Sequence, residues 1–226
     1  MFALVNARSC EFPGIFGESR PENGSIRLNL NEFSYNKGAE IFGEKEPADY
    51  VYQVVIGAVR SYKLLSDGRR QIGAFHLAGD IFGLEIGTDH RFTAEAIVDT
   101  TVRLLKRRSL ELAADSDVAV ARNLLSMTTS NLRHAEDHML LLGRKTSLER
   151  VAAFLIEMDK RSTAAGILAL PMCRRDIADY LGLTLETVSR ALSRLHALGI
   201  LGFIGNNQRQ IVLLDRQKLV SLDLQH

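Results

Sequence analysis

Residues 173–214, CRRDIADYLGLTLETVSRALSRLHALGILGFIGNNQRQIVLL, constrain the fold more than any other stretch of this 226-residue chain. Apolar periodicity predicts two short helices, at 174–181 and at 185 to about 198. Only Gly182, Leu183 and Thr184 separate them, so the chain must reverse in a tight turn, as in a helix-turn-helix. After Gly199, which is expected to close the second helix, residues 200–204 and 210–214 read as two strands around the polar turn Gly205-Asn206-Asn207. The segment therefore reads as a winged helix-turn-helix.

Along the second helix, Val188, Ala191, Leu192, Leu195 and Leu198 recur at three- and four-residue spacing and form the face expected to be buried. Glu186, Ser189 and Arg190 lie opposite, within two turns of Thr184, the expected N-cap. In a helix that enters the major groove, this is the end that reaches base edges. Arg190 can donate two hydrogen bonds to guanine, Glu186 can accept from the cytosine amino group, and Ser189 is small enough to sit against a thymine methyl. Arg174, Arg175, Thr187 and Arg194 lie near the same helix and Arg209 in the wing, and these are the candidates for phosphate contacts. Double-stranded DNA is the expected partner.

Net charge is only +1, but residues 142–226 hold twelve Lys and Arg against eight Asp and Glu. An imbalance of that size is compatible with DNA contact and does not by itself argue for it. No run of eighteen apolar residues exists, and the start MFALVNARSCEFPG has neither a basic beginning nor a long apolar core. Neither a membrane span nor a secretory signal is expected, and the expected compartment is the cytoplasm. The two cysteines, Cys10 and Cys173, make no disulfide framework and no zinc-ligand spacing. With no glycine-rich phosphate loop, nucleophile elbow or metal-ligand cluster, no enzyme activity, cofactor or metal is expected.

Upstream, residues 1–26 lack periodicity and read as an irregular leader. From about 26 to 106 the pattern becomes short β-rich runs, at 50–56, 59–65 and 70–77, broken by SDGR and AGD turns, which is an antiparallel barrel or jelly roll. A long helix follows. Its positions Val118, Ala121, Leu125, Thr128, Leu132, Ala135, Met139 and Leu142 alternate by three and four over more than three heptads, the spacing of a coiled-coil seam between two copies. Leu124, Met127 and Leu141 occupy a neighbouring face that would pack within the chain. His134 and His138, one turn apart, read as a solvated face rather than a metal site. Thr146 and Glu149 have the spacing of a capping box that starts the next helix, with Gly143 as a hinge before it.

Three strings, LGLTLETVSR, GRKTSLERVAAFL and VVIGAVRSYKLLSDGRRQIGAFHLAGDIFG, resemble the Crp/Fnr family, most closely its FixK-like branch, over about residues 27–220. The resemblance implies an α+β chain with four parts. These are the leader (1–26), a β jelly roll like the cyclic-nucleotide-binding domain (27–108), a dimerisation helix (109–142) and a winged helix-turn-helix that binds DNA (143–226). It also implies a homodimer on a palindrome with TTGA/TCAA half-sites, recruitment of RNA polymerase, mainly as an activator, and target genes of low-oxygen life, nitrogen fixation or respiration. Glu186, Ser189 and Arg190 fall on the family's base-reading pattern.

The nucleotide-binding chemistry departs from the family pattern. Asp80 follows Gly79 where nucleotide binders carry Glu, and Phe92 precedes Thr93-Ala94 where they carry Arg, with Arg91 displaced by one. On a strand that displacement reverses the side chain's face. A regulator without a small-molecule effector is therefore expected, a cyclic-nucleotide-gated regulator and an architectural DNA-bending protein being the alternatives. Cys10 alone cannot supply the several thiolates of an iron–sulfur cluster. Cys173 stands where a Ser or Thr N-cap is expected, before two arginines, with Asp176 three residues on. Cations and a helix N-terminus favour a thiolate, which makes Cys173 the redox candidate, against the alternative of an inert packing substitute for serine.

Overall fold

The computed structural model describes residues 31–161, 167–205 and 209–223. The leader, Cys10, Asn206 and Asn207 lie outside these. The chain divides into two compact units that meet within one helix, between His134 and Ala135.

Eight strands build the first unit: β1 (Asn31–Tyr35), β2 (Glu40–Phe42), β3 (Tyr50–Ile56), β4 (Ala58–Leu64), β5 (Arg70–Leu77), β6 (Ile81–Phe82), β7 (Thr93–Ala96) and β8 (Thr100–Lys106). They form two four-stranded antiparallel sheets, in the orders β1-β8-β3-β6 and β2-β7-β4-β5. Alternation along the strands turns Val54, Val59, Ala94 and Val102 inward, all at most 1% exposed. Gly57 joins β3 to β4 at φ +99°, and a Cβ there would lie 2.5 Å from Thr100 Oγ1 and 2.7 Å from Asp99 O, so only glycine fits. Thr100 secures the same corner by accepting from the Ala58 N–H and donating to the Ala58 carbonyl.

Helix α1 (Arg107–Ser116) and the start of α2 (Val118–Arg144) close one end of the roll, burying Leu110, Ala113 and Val120 against Val51 and Leu105. The long helix expected from 109 is thus two helices. The break falls at Asp117, which takes extended backbone angles and whose carboxylate accepts the Ala119 N–H, the hydrogen bond of an N-cap.

In the second unit, α3 (Ser147–Arg161), α4 (Arg174–Leu181), α5 (Leu185–Ala197) and α6 (Arg216–Asp223) pack with a three-stranded antiparallel sheet. Its order is β10 (Leu201–Ile204), β11 (Gln210–Leu213), β9 (Ile167–Ala169). The two wing strands match the expectation, and β9 is a third that sequence reading missed, paired to β11 through Leu168 and Ile211. The box at α3 forms as spaced: Glu149 accepts the Thr146 N–H at 2.7 Å, and Thr146 accepts the Glu149 N–H at 3.5 Å. Phe154, Leu155, Leu168, Met172, Tyr180, Leu181, Leu195 and Ile200 form the core.

Inside the roll the aromatic rings of Phe42, Tyr52, Phe82 and His90 stack on one another, with His90 only 3.6 Å from Phe42 and nearly parallel to it. His90 is 2% exposed and neither ring nitrogen has a hydrogen-bond partner. Desolvation holds its pKa below the ordinary 6.5, against the pull of nearby carboxylates led by Glu85. An unfolded chain therefore takes up this proton before the folded one does, and stability falls as pH drops through about 6.5 and below. Replacing His90 by Phe keeps the stacked ring and removes the titration. Urea unfolding at a series of pH values from 8 to 5 should show a shallower acid decline for His90→Phe than for the parent protein, and parallel declines would refute the assignment.

Candidate nucleic-acid interface

Helix α5 is capped at both ends by the chain's own groups. Thr184 takes extended backbone angles and its hydroxyl oxygen accepts the Thr187 N–H at 3.2 Å, the N-cap expected from the sequence. At the other end Leu198 is the C-cap and Gly199, at φ +70°, follows it. The Gly199 N–H donates to His196 O and the Ile200 N–H to Leu195 O, the paired bonds of a Schellman closure. Leu198 is 42% exposed, which corrects the expectation that it continues the buried stripe. The stripe ends with Leu195, and Ile200, fully buried beyond the turn, takes over from it.

With Val188, Ala191, Leu192 and Leu195 buried, Glu186 and Arg190 stand exposed on the outer face and Ser189 is half-exposed. Glu186's carboxylate is held below the usual carboxylate range. Its own backbone N–H is the chief cause, with the Thr184 hydroxyl next and the positive charges of Arg175 and Arg190 adding less. It remains an ionised acceptor, the form that receives an amino group. Thr187 is half-buried, and its hydroxyl lies 3.0 Å from that of Thr184. Arg175, Arg194 and Arg209 are exposed. Arg174 is half-buried, with its guanidinium over the Phe203 ring at 5.8 Å, and His196 stacks on the same ring at 5.4 Å. Phe203, on wing strand β10, thereby orients Arg174 across the fold. The alternation of β10 marks Phe203's face, but nothing in the sequence pairs it with Arg174.

At the start of α4, Cys173 and Asp176 form the capping box: the Asp176 carboxylate accepts the Cys173 N–H at 3.1 Å and the Cys173 S–H at 3.2 Å. The sulfur hydrogen bond belongs to the thiol form alone. At the end of α4 the chain turns through Gly182 at φ +61°, and its last carbonyls are received from outside the motif. His138 Nε2–H donates to Tyr180 O at 3.0 Å with its ring 4.1 Å from the tyrosine ring, and Arg150 donates to Leu181 O at 3.0 Å. His138 is thus a packed donor, which corrects its reading as a solvated residue. Arg150 also donates to Leu142 O and Lys145 O, at 2.8 and 2.9 Å. The only hint of this in the sequence is a charged residue directly beside Val151 and Ala152, on a helix whose inner face is otherwise apolar.

Along α2 the intended seam is open to solvent: Val118, Leu125, Leu132 and Met139 are 72%, 68%, 59% and 66% exposed, and Ala121, Thr128 and Ala135 are exposed as well. Its last position departs from this pattern. Leu142 is half-buried, and a Cβ built on Gly182 would meet its Cδ2 at 3.6 Å. Met127 and Leu141 are buried on the neighbouring face.

In the β-roll, Asp80 accepts the Leu77 N–H at 2.7 Å and so braces its own turn. Arg91 pairs with Glu85 at 2.9 Å and is 73% exposed. The Thr93 hydroxyl accepts the Glu44 N–H, and Phe92 lies against Gly73 with the Lys63 ammonium 5.6 Å from the ring centre. These side chains are engaged in local contacts.

Comparison with known proteins follows the same division. Residues 149–222 match the Crp-like helix-turn-helix domain and residues 32–117 the cyclic nucleotide-binding domain. Nitrogen fixation regulation protein FixK of Rhizobium meliloti is 42% identical over 189 residues, which cover 84% of this chain and 85% of that protein. Transcriptional activator protein FnrL of Cereibacter sphaeroides is 32% identical, over 83% of this chain and 78% of its own length. Among solved structures, FixK2 from Bradyrhizobium japonicum has a TM-score of 0.83 and 72% identity, covering 87% of this chain and 98% of that one.

Removing the α5 cap should be measurable without DNA. Thr184→Ala should lower unfolding stability by about 1 kcal/mol, while Thr184→Ser should lose far less. Urea denaturation that finds the two variants equal would refute the capping role.

Proposed function

The chain belongs to the Crp/Fnr family of transcription regulators and is closely related to FixK, and we propose that it works as a homodimer on a TTGA/TCAA-type palindrome without a small-molecule effector. One arrangement carries the reading: Glu186, Ser189 and Arg190 on the outer face of a helix capped at both ends, with its opposite face buried. In this reading Arg190 reads guanine, Glu186 accepts from the paired cytosine and Ser189 contacts a thymine methyl. Arg174, Arg175, Thr187, Arg194 and Arg209 hold phosphates and fix the register.

Two copies pair through Val118, Ala121, Leu125, Thr128, Leu132, Ala135 and Met139. The support is four large apolar side chains, each more than half exposed, at heptad spacing on one face of α2. Pairing through residues 109–142 would set two reading heads, 143–226, one DNA turn apart. The β-roll, 27–108, acts as a ligand-free scaffold: Arg91, the displaced candidate for a phosphate, is paired with Glu85 at the surface. The names of the relatives support a role in nitrogen-fixation control and in activation. The same reading extends it to low-oxygen genes, to the cytoplasm and to recruitment of RNA polymerase. Among the described residues no helix is long and apolar enough to cross a membrane.

Cys173 gives this reading a redox arm. Two equivalents of peroxide, each reduced to water, would convert the thiol to a sulfinate. That change replaces the S–H donor with an anion facing Asp176, so the α4 cap is repelled where it was bonded. It also puts negative charge beside Arg174 and Arg175, two of the proposed phosphate ligands.

Fluorescence anisotropy of the reduced protein with a TTGAT/ATCAA palindrome, at one stated salt concentration, tests the base-reading trio. Changing the half-site guanines should cost about 1 to 3 kcal/mol per site, and Arg190→Ala should remove that discrimination. Equal affinity for both duplexes would refute the assignment. In the same assay Arg175→Ala should weaken all sequences alike and reduce the salt slope by about 1. Cys173→Ser should bind the palindrome and resist peroxide; if its binding were lost to peroxide as fast as the parent's, the redox arm would fall.

A further inference from the structure

The reading head is tied to the end of α2 by a set of bonds that DNA contact alone does not require. Arg150, on α3, sends its three kinds of guanidinium nitrogen to three different carbonyls: Nε to Lys145 O, Nη2 to Leu142 O and Nη1 to Leu181 O. Leu142 lies in the last turn of α2, and Leu181 is the last residue of α4. The negative ends of two helices thus converge on one cation. One turn earlier on α2, His138 takes the neighbouring carbonyl of α4, Tyr180 O, and stacks on that residue's ring. Tyr180 is buried and its hydroxyl donates to Glu157 at 3.2 Å, so the carbonyl that His138 holds belongs to the core of the head.

These bonds occupy the same turns of α2 as the lower seam. Met139, 66% exposed, follows His138 directly, and Leu142 sits against Gly182. Gly182 begins the three-residue turn to Thr184, the cap from which Glu186 and Arg190 are placed. The connection from seam to base-reading side chains therefore runs through two helix ends and one short turn.

We infer that Arg150 and His138 are positioning residues that set which spacing between half-sites the protein accepts, by locking the angle of α5 to the end of α2. The inference rests on the two-fold reading above. Two heads held at a fixed angle fit one separation, and inserting a base pair moves one half-site by about 3.4 Å and turns it by about 35°. A head on a loose joint follows that displacement. Lysine cannot replace Arg150 in this role, because one ammonium cannot serve three carbonyls in three directions.

The experiment uses the full chain with three duplexes: the palindrome, the palindrome with one base pair inserted at its centre, and a duplex with a single half-site. For the parent protein the insertion should weaken binding about 10-fold or more, since simultaneous engagement is what two linked heads add. For Arg150→Lys and for His138→Ala the insertion penalty should drop below about 3-fold, with single-half-site affinity unchanged. His138→Gln, which keeps a donor for Tyr180 O, should restore the parental penalty. Thermal unfolding identifies variants that fold, and if Arg150→Lys does not, the pair His138→Ala and His138→Gln decides. Folded variants that keep the full parental penalty overturn the inference. A parent protein indifferent to the insertion instead removes the two-fold reading, and the inference with it.

Discussion

A helix of eight residues leaves about as many backbone groups unsatisfied at its ends as it satisfies within, and α4 is that short. Such a helix persists only if something else takes its terminal donors and acceptors. At its start Asp176 and Cys173 do so, and at its end the carbonyls of Tyr180 and Leu181 are taken by His138 and Arg150. This external satisfaction adds to the burial of Ile177, Ala178, Tyr180 and Leu181 in holding the helix. Because α4 ends where those carbonyls are held, Gly182 can turn in the left-handed region, Thr184 can cap α5, and the outer face of α5 acquires a fixed direction.

The β-roll solves the opposite problem. Its strands satisfy their own backbones, and what remains is to fill the interior. Phe42, Tyr52, Phe82 and His90 do this as a stack of flat rings, at the cost of burying an imidazole with unpaired nitrogens. The polar side chains at and beside the positions where the sequence departs from the nucleotide-binding pattern make local contacts. Asp80 holds a turn, Thr93 caps the Glu44 N–H, and Arg91 pairs with Glu85. One structural unit of this chain is thus organised around aromatic packing and the other around helix ends.

Local signals were read well from the sequence. Both capping boxes, the Thr184 cap, the Gly182 turn, the wing strands and the open stripe of α2 stand where spacing placed them, because each depends on residues within a few positions of one another. What escaped was set by distant partners. Leu198 continues the apolar period but is exposed, because Gly199 turns the chain before the period can close. His138 looks like a surface residue until the Tyr180 carbonyl, 42 positions away, accepts its hydrogen bond. The strand at 167–169 has too few residues to show a period, and it exists because β11 has a free edge. Asp117 interrupts what periodicity presents as one helix, since its carboxylate satisfies the backbone of the next one. The shared outer face of Glu186, Ser189 and Arg190 was legible from helix phase alone, whereas Phe203's contact with Arg174 and Arg150's three carbonyls needed coordinates.

The two closed ends of α5 have a thermodynamic consequence. A recognition helix that is frayed when free must order itself on its target, and the apolar surface buried in that ordering adds to the heat-capacity change of association. Here the Thr184 cap and the Gly199 closure are made by the chain's own groups, and the inner face of the helix is buried within its own unit. Complex formation need not fold this element, so its heat-capacity signature should reflect only the surfaces that meet and the deformation of the duplex.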